Sequence, residues 1–316
     1  MSLDDRARGR RLAVVDVVRG VAIAAMIVYH TAFDLSANRL IAVDIIDSLP
    51  WKVFARSIAG TFLLVVGVSL VLATRRGFNR DAFLRRLAIL IGAAALVSFG
   101  TWWFDPGTFV FFGILHEIAL ASVLALPFLF LPSWLVAIVA AAVIALPFYY
   151  AADVFNLPVL WWVGLSTEPP VTVDYVPVFP WFGVVLAGIV AGRLLVAYGG
   201  PLAAWRSSDP LTRFIARAGR WSLLIYLVHQ PLIVGVLSLY GALVPPSAAV
   251  VRTNFTGQCV AACSSDGRSV ESCTALCGCM FDHLYGTDLF AMKSLAEMSA
   301  EQKTRWEGVI DACVPP

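Results

Sequence analysis

The stretch LAVVDVVRGVAIAAMIVYHTAF, residues 12–33, decides the fold. It holds about 20 residues, the length of helix that crosses a bilayer. Within it stand Asp16, Arg19 and His30. Ionisable groups at that depth are costly and normally face a bundle interior or a wet cavity. Arg19 and His30 are eleven residues apart, close to three helical turns, so they share a face. At about 1.5 Å per residue they lie roughly 16 Å apart along the axis, too far to grip one small group. They fit two ends of one long ligand, or two points of a path across the membrane. The plainer account is an Asp16–Arg19 pair at i,i+3 that neutralises itself near one surface, with His30 hydrogen-bonded near the other.

Outward from this stretch the pattern repeats. Hydrophobic residues make up 59% of the chain and charged residues 14%, with a mean hydropathy of +0.81, which excludes an ordinary soluble globule. Apolar windows recur at 12–33, 52–74, 83–104, 109–131, 133–150, 178–199 and 219–243. They predict an all-α, polytopic transmembrane bundle of about seven spans. Pro127, Pro132 and Pro147 interrupt the fourth and fifth windows, where a re-entrant pair is the alternative.

Arginines set the orientation. Arg6, Arg8, Arg10 and Arg11 precede the first window, and Arg75, Arg76, Arg80, Arg85 and Arg86 lie between or just inside the second and third. Arg193, Arg206, Arg213, Arg217 and Arg220 flank the connection from sixth to seventh. The alternate connections hold only Arg39, Lys52 and Arg56, and 151–177 holds no basic residue. The positive-inside rule then puts the N-terminus in the cytoplasm and, for an odd number of spans, the C-terminus outside. The first window is too long and too charged for a removable signal peptide. The net charge of +2 reflects this topology and does not point to nucleic acid.

All six cysteines fall from Cys259 onward, as Cys259, Cys263, Cys273, Cys277, Cys279 and Cys313. Two C-x3-C pairs place cysteines one helical turn apart on two segments joined by a polar turn at Ser264–Ser272. The spacing favours Cys259–Cys277 and Cys263–Cys273 across facing helices, with Cys279–Cys313 tying down the tail, among the many connectivities six cysteines allow. Zinc is the competing reading, but the spacing matches neither a finger nor a ribbon, and His283 is the only histidine nearby. We expect disulfides in an oxidising space and no metal. Residues 1–250 are expected to form the membrane domain, and 251–316 a small external helical domain stapled by disulfides. In a bacterium these would be the inner membrane and the periplasm. The tail is also the candidate surface for a protein partner.

Three of the four histidines, His30, His116 and His229, lie in apolar windows. Counted from the helix ends, all three fall in the outer half or near the midplane, where one polar cavity would gather them. Each has a plainer reading. His229 satisfies backbone groups freed by the Pro231 kink, and His116 is an interhelical partner for Glu117 or another helix. The segment from Asp153 to Trp181 is rich in Trp, Pro and aromatic residues. It reads as interfacial anchoring or as a lid that binds a substrate, with Asp174 its best polar handle beside Tyr175. The arginine-rich connections suit a polyanion such as a nucleotide phosphate, or equally anionic lipid.

Several strings together carry a resemblance. Val15-Asp16-Val17-Val18-Arg19-Gly20 followed by His30 is similar to the opening of membrane acyltransferases, including the acyltransferase-3 type. Gly67-Val68-Ser69, Phe112-Gly113-Ile114-Leu115-His116, the run Tyr175–Gly183 and Ile225-Tyr226-Leu227-Val228-His229-Gln230-Pro231 follow in order. Over roughly residues 11–245 the chain resembles the bacterial heparan-alpha-glucosaminide N-acetyltransferase-like family, with a cysteine-rich tail in addition. The resemblance implies transfer of an acyl group, commonly acetyl, from cytoplasmic acyl-CoA to a glycan or amino-sugar acceptor across the membrane.

Acyl transfer from a thioester needs a base for the acceptor and donors for the developing oxyanion. Histidine titrates near neutrality and suits the base. The expected assignment makes His30 the base, with Arg19 holding acyl-CoA and Asp16 orienting Arg19. His116 and His229 serve as oxyanion donor or second base, Glu117 fixes an imidazole tautomer, and Asp174 with Tyr175 receives the acceptor. Two rival readings remain at this level: a haem-binding electron-transfer subunit, since paired histidines on different helices also ligate haem, and a non-catalytic accessory subunit of a larger membrane complex.

Overall fold

The computed structural model describes residues 12–38, 40, 41, 43, 45, 48–75, 77–205, 208–244, 247–265, 267–291 and 298–313. Arg6, Arg8, Arg10, Arg11, Arg39, Arg76 and Arg206 lie outside them. Every regular element is helical among the described residues. In chain order, the first eight are α1 (Ala13–Ala37), α2 (Leu49–Thr74), α3 (Arg80–Phe104), α4 (Ile114–Leu124), α5 (Ser133–Ala145), α6 (Val178–Tyr198), α7 (Gly200–Ala204) and α8 (Pro210–Arg220). They are followed by α9 (Ser222–Leu243), α10 (Ala248–Ser265), α11 (Val270–Leu284) and α12 (Ala300–Cys313).

Among the described residues, five helices are long and apolar enough to cross a membrane: α1, α2, α3, α6 and α9. The fourth and fifth windows differ from the expectation of equal spans. α4 has 11 residues and α5 has 13, short of the about 20 that a span needs. Proline is the reason. Past α4 the chain tightens into a 3₁₀ turn at Pro127–Leu129, and Pro132 precedes α5, because proline supplies no N–H and clashes with the preceding turn. The carbonyls left open there are bound by one side chain. The Arg193 guanidinium on α6 donates to Leu131 O (2.7 Å), Leu129 O (2.9 Å) and Phe128 O (3.0 Å). Arg193 stands fifteen residues after Val178, so the α4–α5 turn lies roughly 22 Å along α6.

Hydroxyls inside the long helices bond back to carbonyls one turn earlier, as Ser57 does to Val53 and Thr61 to Ser57, which satisfies them without a partner helix. Lipid gives no hydrophobic drive to helix association, so close packing must come from small residues. Gly67 on α2 faces the Val185 carbonyl on α6, and Gly188 on α6 faces the Leu64 carbonyl on α2, with no room for a Cβ at either. Around this contact Leu63, Val66, Leu186 and Ile189 form the centre of the core. Gly20 on α1 and Gly219 on α8 meet in the same way against the Ile215 and Asp16 carbonyls.

The described residues divide into two compact units, one within 1–34 and 43–233, the other within 35–42 and 234–316. In the second, disulfides join Cys259 to Cys277, Cys263 to Cys273 and Cys279 to Cys313. This is the connectivity that facing C-x3-C helices favour. α11 starts under a cap in which Ser269 Oγ accepts from Ser272 N–H at 3.2 Å, after Gly267 takes φ +83° in the turn. Met280, Leu284 and Leu289 with Phe255, Phe290 and Trp306 make a small core, and each disulfide adds about 2–4 kcal/mol to it. The His283 ring lies within 4.8 Å of the Cys279 and Cys313 sulfurs. Those sulfurs are bonded to each other and so are not thiolate ligands.

Candidate active site

α1 holds its polar side chains at two levels. At the first, Arg19 Nη1 lies 3.7 Å from Asp16 Oδ1, and Arg19 Nη2 donates to Ser69 Oγ on α2 at 2.5 Å. Ser69 in turn donates to the Val65 carbonyl, so the guanidinium is held from its own helix and from α2. Three turns further, the His30 and His229 rings stand with centroids 4.9 Å apart, tilted by 60°.

The second level contains two unmet acceptors. His229 Nδ1 lies 2.6 Å from the Tyr226 carbonyl oxygen, and an oxygen acceptor requires the proton on that nitrogen. Nε2 then keeps its lone pair, and it is buried without a hydrogen-bond partner among the described residues. One turn beyond His30, Asp34 is only 7% exposed. Its two oxygens accept from Gln230 Nε2 at 2.8 and 3.1 Å. That fixes the amide's orientation and leaves Gln230 Oε1 buried with no donor among the described residues. Two consecutive residues thus present acceptors that call for N–H or O–H groups.

A cavity of about 640 Å³ opens at the first level and extends as far as Tyr226. Arg19, Arg85, Arg86 and Arg220 line it, and so does Tyr226, whose ring centroid is 5.7 Å from that of His229. Four guanidinium groups around one cavity repel one another and attract a polyanion. Arg85, Arg86 and Arg220, read from sequence as orientation signals, thereby become site residues.

The family model of the heparan-alpha-glucosaminide N-acetyltransferase catalytic domain matches residues 11–231. The chain belongs to this family. Heparan-alpha-glucosaminide N-acetyltransferase-type catalysis is membrane acetyl transfer from acetyl-CoA. The match contains both levels of α1, the arginine-lined cavity and the His229-Gln230-Pro231 end of the site, and it stops before the first of the cysteines. No curated protein and no solved structure matches the chain.

Against this N-acetyltransferase frame the other sequence candidates fall in different places. His116 stands in the first turn of α4. Its Nδ1 accepts from Gly113 N–H at 3.2 Å, and its Nε2 lies 3.2 Å from Ser98 Oγ on α3, so both nitrogens are engaged in holding α4. Glu117 is fully buried, and its oxygens accept no hydrogen bond among the described residues; the tautomer of His116 is set by Gly113 instead. Asp174 caps α4 from a distance, accepting from Ile114 N–H at 3.0 Å and facing the Tyr226 hydroxyl at 3.5 Å. Burial pushes its carboxyl above the usual range, against the lowering effect of those two bonds. The Tyr175 hydroxyl donates to the Trp161 carbonyl at 2.6 Å. The His30 and His229 rings are too close for a porphyrin to lie between them.

Proposed function

We propose that this protein moves an acetyl group from cytoplasmic acetyl-CoA to an amine or hydroxyl of a glycan or amino sugar on the other side of the membrane. One observation carries the reading. A single helix presents Arg19 to an arginine-lined cavity and, roughly 16 Å further along, presents His30 to His229. The phosphates of the donor sit among Arg19, Arg85, Arg86 and Arg220. The pantetheine arm runs past Tyr226, and the thioester reaches the histidine pair.

His229 Nε2 takes the proton of the acceptor's nucleophilic N–H or O–H, Gln230 Oε1 accepts a hydrogen bond from another polar hydrogen of the acceptor and orients it, and the freed nucleophile attacks the thioester carbonyl. The C–S bond breaks as the new C–N or C–O bond forms, and the CoA thiolate leaves with a proton returned from the histidine pair. His30 shares that proton with His229, so the two act as a pair, with His229 in the second-base role that the sequence offered it. Asp34 acts as a positioning residue through Gln230, and Asp16 does the same for Arg19. His116, Asp174 and Tyr175 hold the wall of α4 and its connecting segment.

Sidedness rests on the arginine pattern and on parity. Whether α4 and α5 cross or turn back, they return the chain to the side it left, so the long helices leave the N-terminus and the disulfide unit on opposite sides. The positive-inside rule then makes the arginine-lined end cytoplasmic, and the disulfide unit periplasmic in a bacterial inner membrane. Incubating the reconstituted protein with labelled acetyl-CoA and a panel of amino sugars and glycans tests the reading. Label in a recovered sugar supports it, and CoA release with no labelled acceptor in the presence of every candidate counts against it.

A further inference from the structure

α8 lies in the connection between two spanning helices, α6 and α9, and has three distinct faces. It begins under a cap in which Asp209 accepts from Thr212 N–H at 2.9 Å, with Pro210 in the first turn. Ala216 and Gly219, one turn apart, are buried, and Gly219 lies directly against the Asp16 carbonyl of α1 while Gly20 of α1 lies against the Ile215 carbonyl. Leu211 and Phe214, also one turn apart, are 67% and 69% exposed. Arg213 and Arg217, at i and i+4, form an exposed basic row beside them, and Arg220 at the end of the helix lines the arginine cavity.

We propose that α8 is an interfacial helix that binds anionic phospholipid and passes that binding to the donor site. Its place between two spanning helices puts it at a membrane surface whichever side that is. A helix with large exposed apolar groups on one face and arginines on the next settles in the headgroup layer with the apolar groups inserted. Its charge complements phosphate headgroups, and basic residues near such a surface gain from anionic lipid in a way they do not from zwitterionic lipid. Leu211 and Phe214 insert, and Arg213 and Arg217 hold the phosphates. The helix cannot shift alone, because its glycine face is seated on the turn of α1 that carries Asp16 and Arg19. Holding α8 at the surface therefore holds Arg19 and Arg220 in place for the donor. This second limb rests on the proposed function; the lipid limb does not.

The test uses the full chain in nanodiscs of phosphatidylcholine alone or with a third phosphatidylglycerol, comparing wild type with R213Q/R217Q and with L211S/F214S. Neither variant changes a residue placed in the cavity or the histidine pair. Retained lipid is read by native mass spectrometry, and acetyl-CoA binding by equilibrium titration in the same discs. Wild type is expected to retain phosphatidylglycerol preferentially, with that preference falling about thirtyfold in R213Q/R217Q while the protein stays folded by circular dichroism. Acetyl-CoA affinity should rise with phosphatidylglycerol in wild type and be indifferent to it in the variant. Equal retention of both lipids by wild type, or an unchanged preference in R213Q/R217Q, overturns the proposal. A soluble protein captured through this face with no lipid preference overturns it as well. A lipid preference with donor affinity unaffected by lipid overturns the coupling alone, whereas no acetyl-CoA binding in any disc is a failure of the proposed function.

Discussion

His30 and His229 come from helices at opposite ends of the catalytic domain in sequence, and their rings meet with centroids 4.9 Å apart. The bond from His229 Nδ1 to the Tyr226 carbonyl leaves the lone pair of that ring on Nε2. His229→Gln should therefore lower the turnover number by about 10²–10⁴-fold with acetyl-CoA binding retained. His30→Gln should reduce it less, because Nε2 of His229 keeps its lone pair. Turnover numbers and titrated donor affinity, measured side by side, check this. Equal activity of wild type and the His229 variant would sink the assignment.

Donor binding should depend on charge at the other level. Arg85→Gln and Arg220→Gln should each raise the KM for acetyl-CoA by about tenfold, the worth of one hydrogen bond to a charged group, with the turnover number little changed. Added salt should weaken donor binding in wild type more than in the double variant. A KM that ignores these substitutions would place the donor elsewhere.

Asp174 lies outside the spanning helices, and burial raises its carboxyl above the ordinary range. A group raised in the folded state adds stability that is full below its unfolded pKa and is lost as pH rises through the folded one. Wild-type thermal stability should therefore decline as pH climbs out of the usual carboxylate range. Asp174→Asn, which keeps an oxygen for Ile114 N–H, should flatten that decline, and Asp174→Ala should cost about 1 kcal/mol through loss of the cap at all pH values. Melting curves in detergent across that range measure both.

The disulfide unit should be oxidised and external. An impermeant maleimide applied to intact cells should label it only after an impermeant reductant. Labelling that needs lysis would reverse the orientation.

Much of this fold was legible in the chain. Hydropathy marks α1, α2, α3, α6 and α9 because each is apolar for the full width of a bilayer. It does not show that α4 and α5 are shorter than a span, because a window average does not register that Pro127 and Pro132 interrupt the helix, nor that Arg193, distant in sequence, satisfies the broken turn. The cysteine pairing was readable because two i,i+4 pairs on facing helices leave one simple way to staple them. The site was half readable. His30, His229 and Arg19 stood out as polar residues in apolar runs. Asp34 escaped by lying one residue past the first window, although its i,i+4 relation to His30 was the available signal. Gln230 was seen only as a neighbour of Pro231, and sequence does not reveal that Asp174 caps a helix sixty residues earlier.

The central claim is that donor and acceptor meet through one helix from opposite sides. Vesicles of known orientation, shown to be sealed, receive labelled acetyl-CoA on one side and an amino-sugar acceptor on the other, in both arrangements. Label should appear in the acceptor only when acetyl-CoA is on the side of the arginine-lined cavity and the acceptor is on the side of the disulfide unit. Transfer that runs equally well with the two exchanged, or with both on the disulfide side alone, would contradict the account.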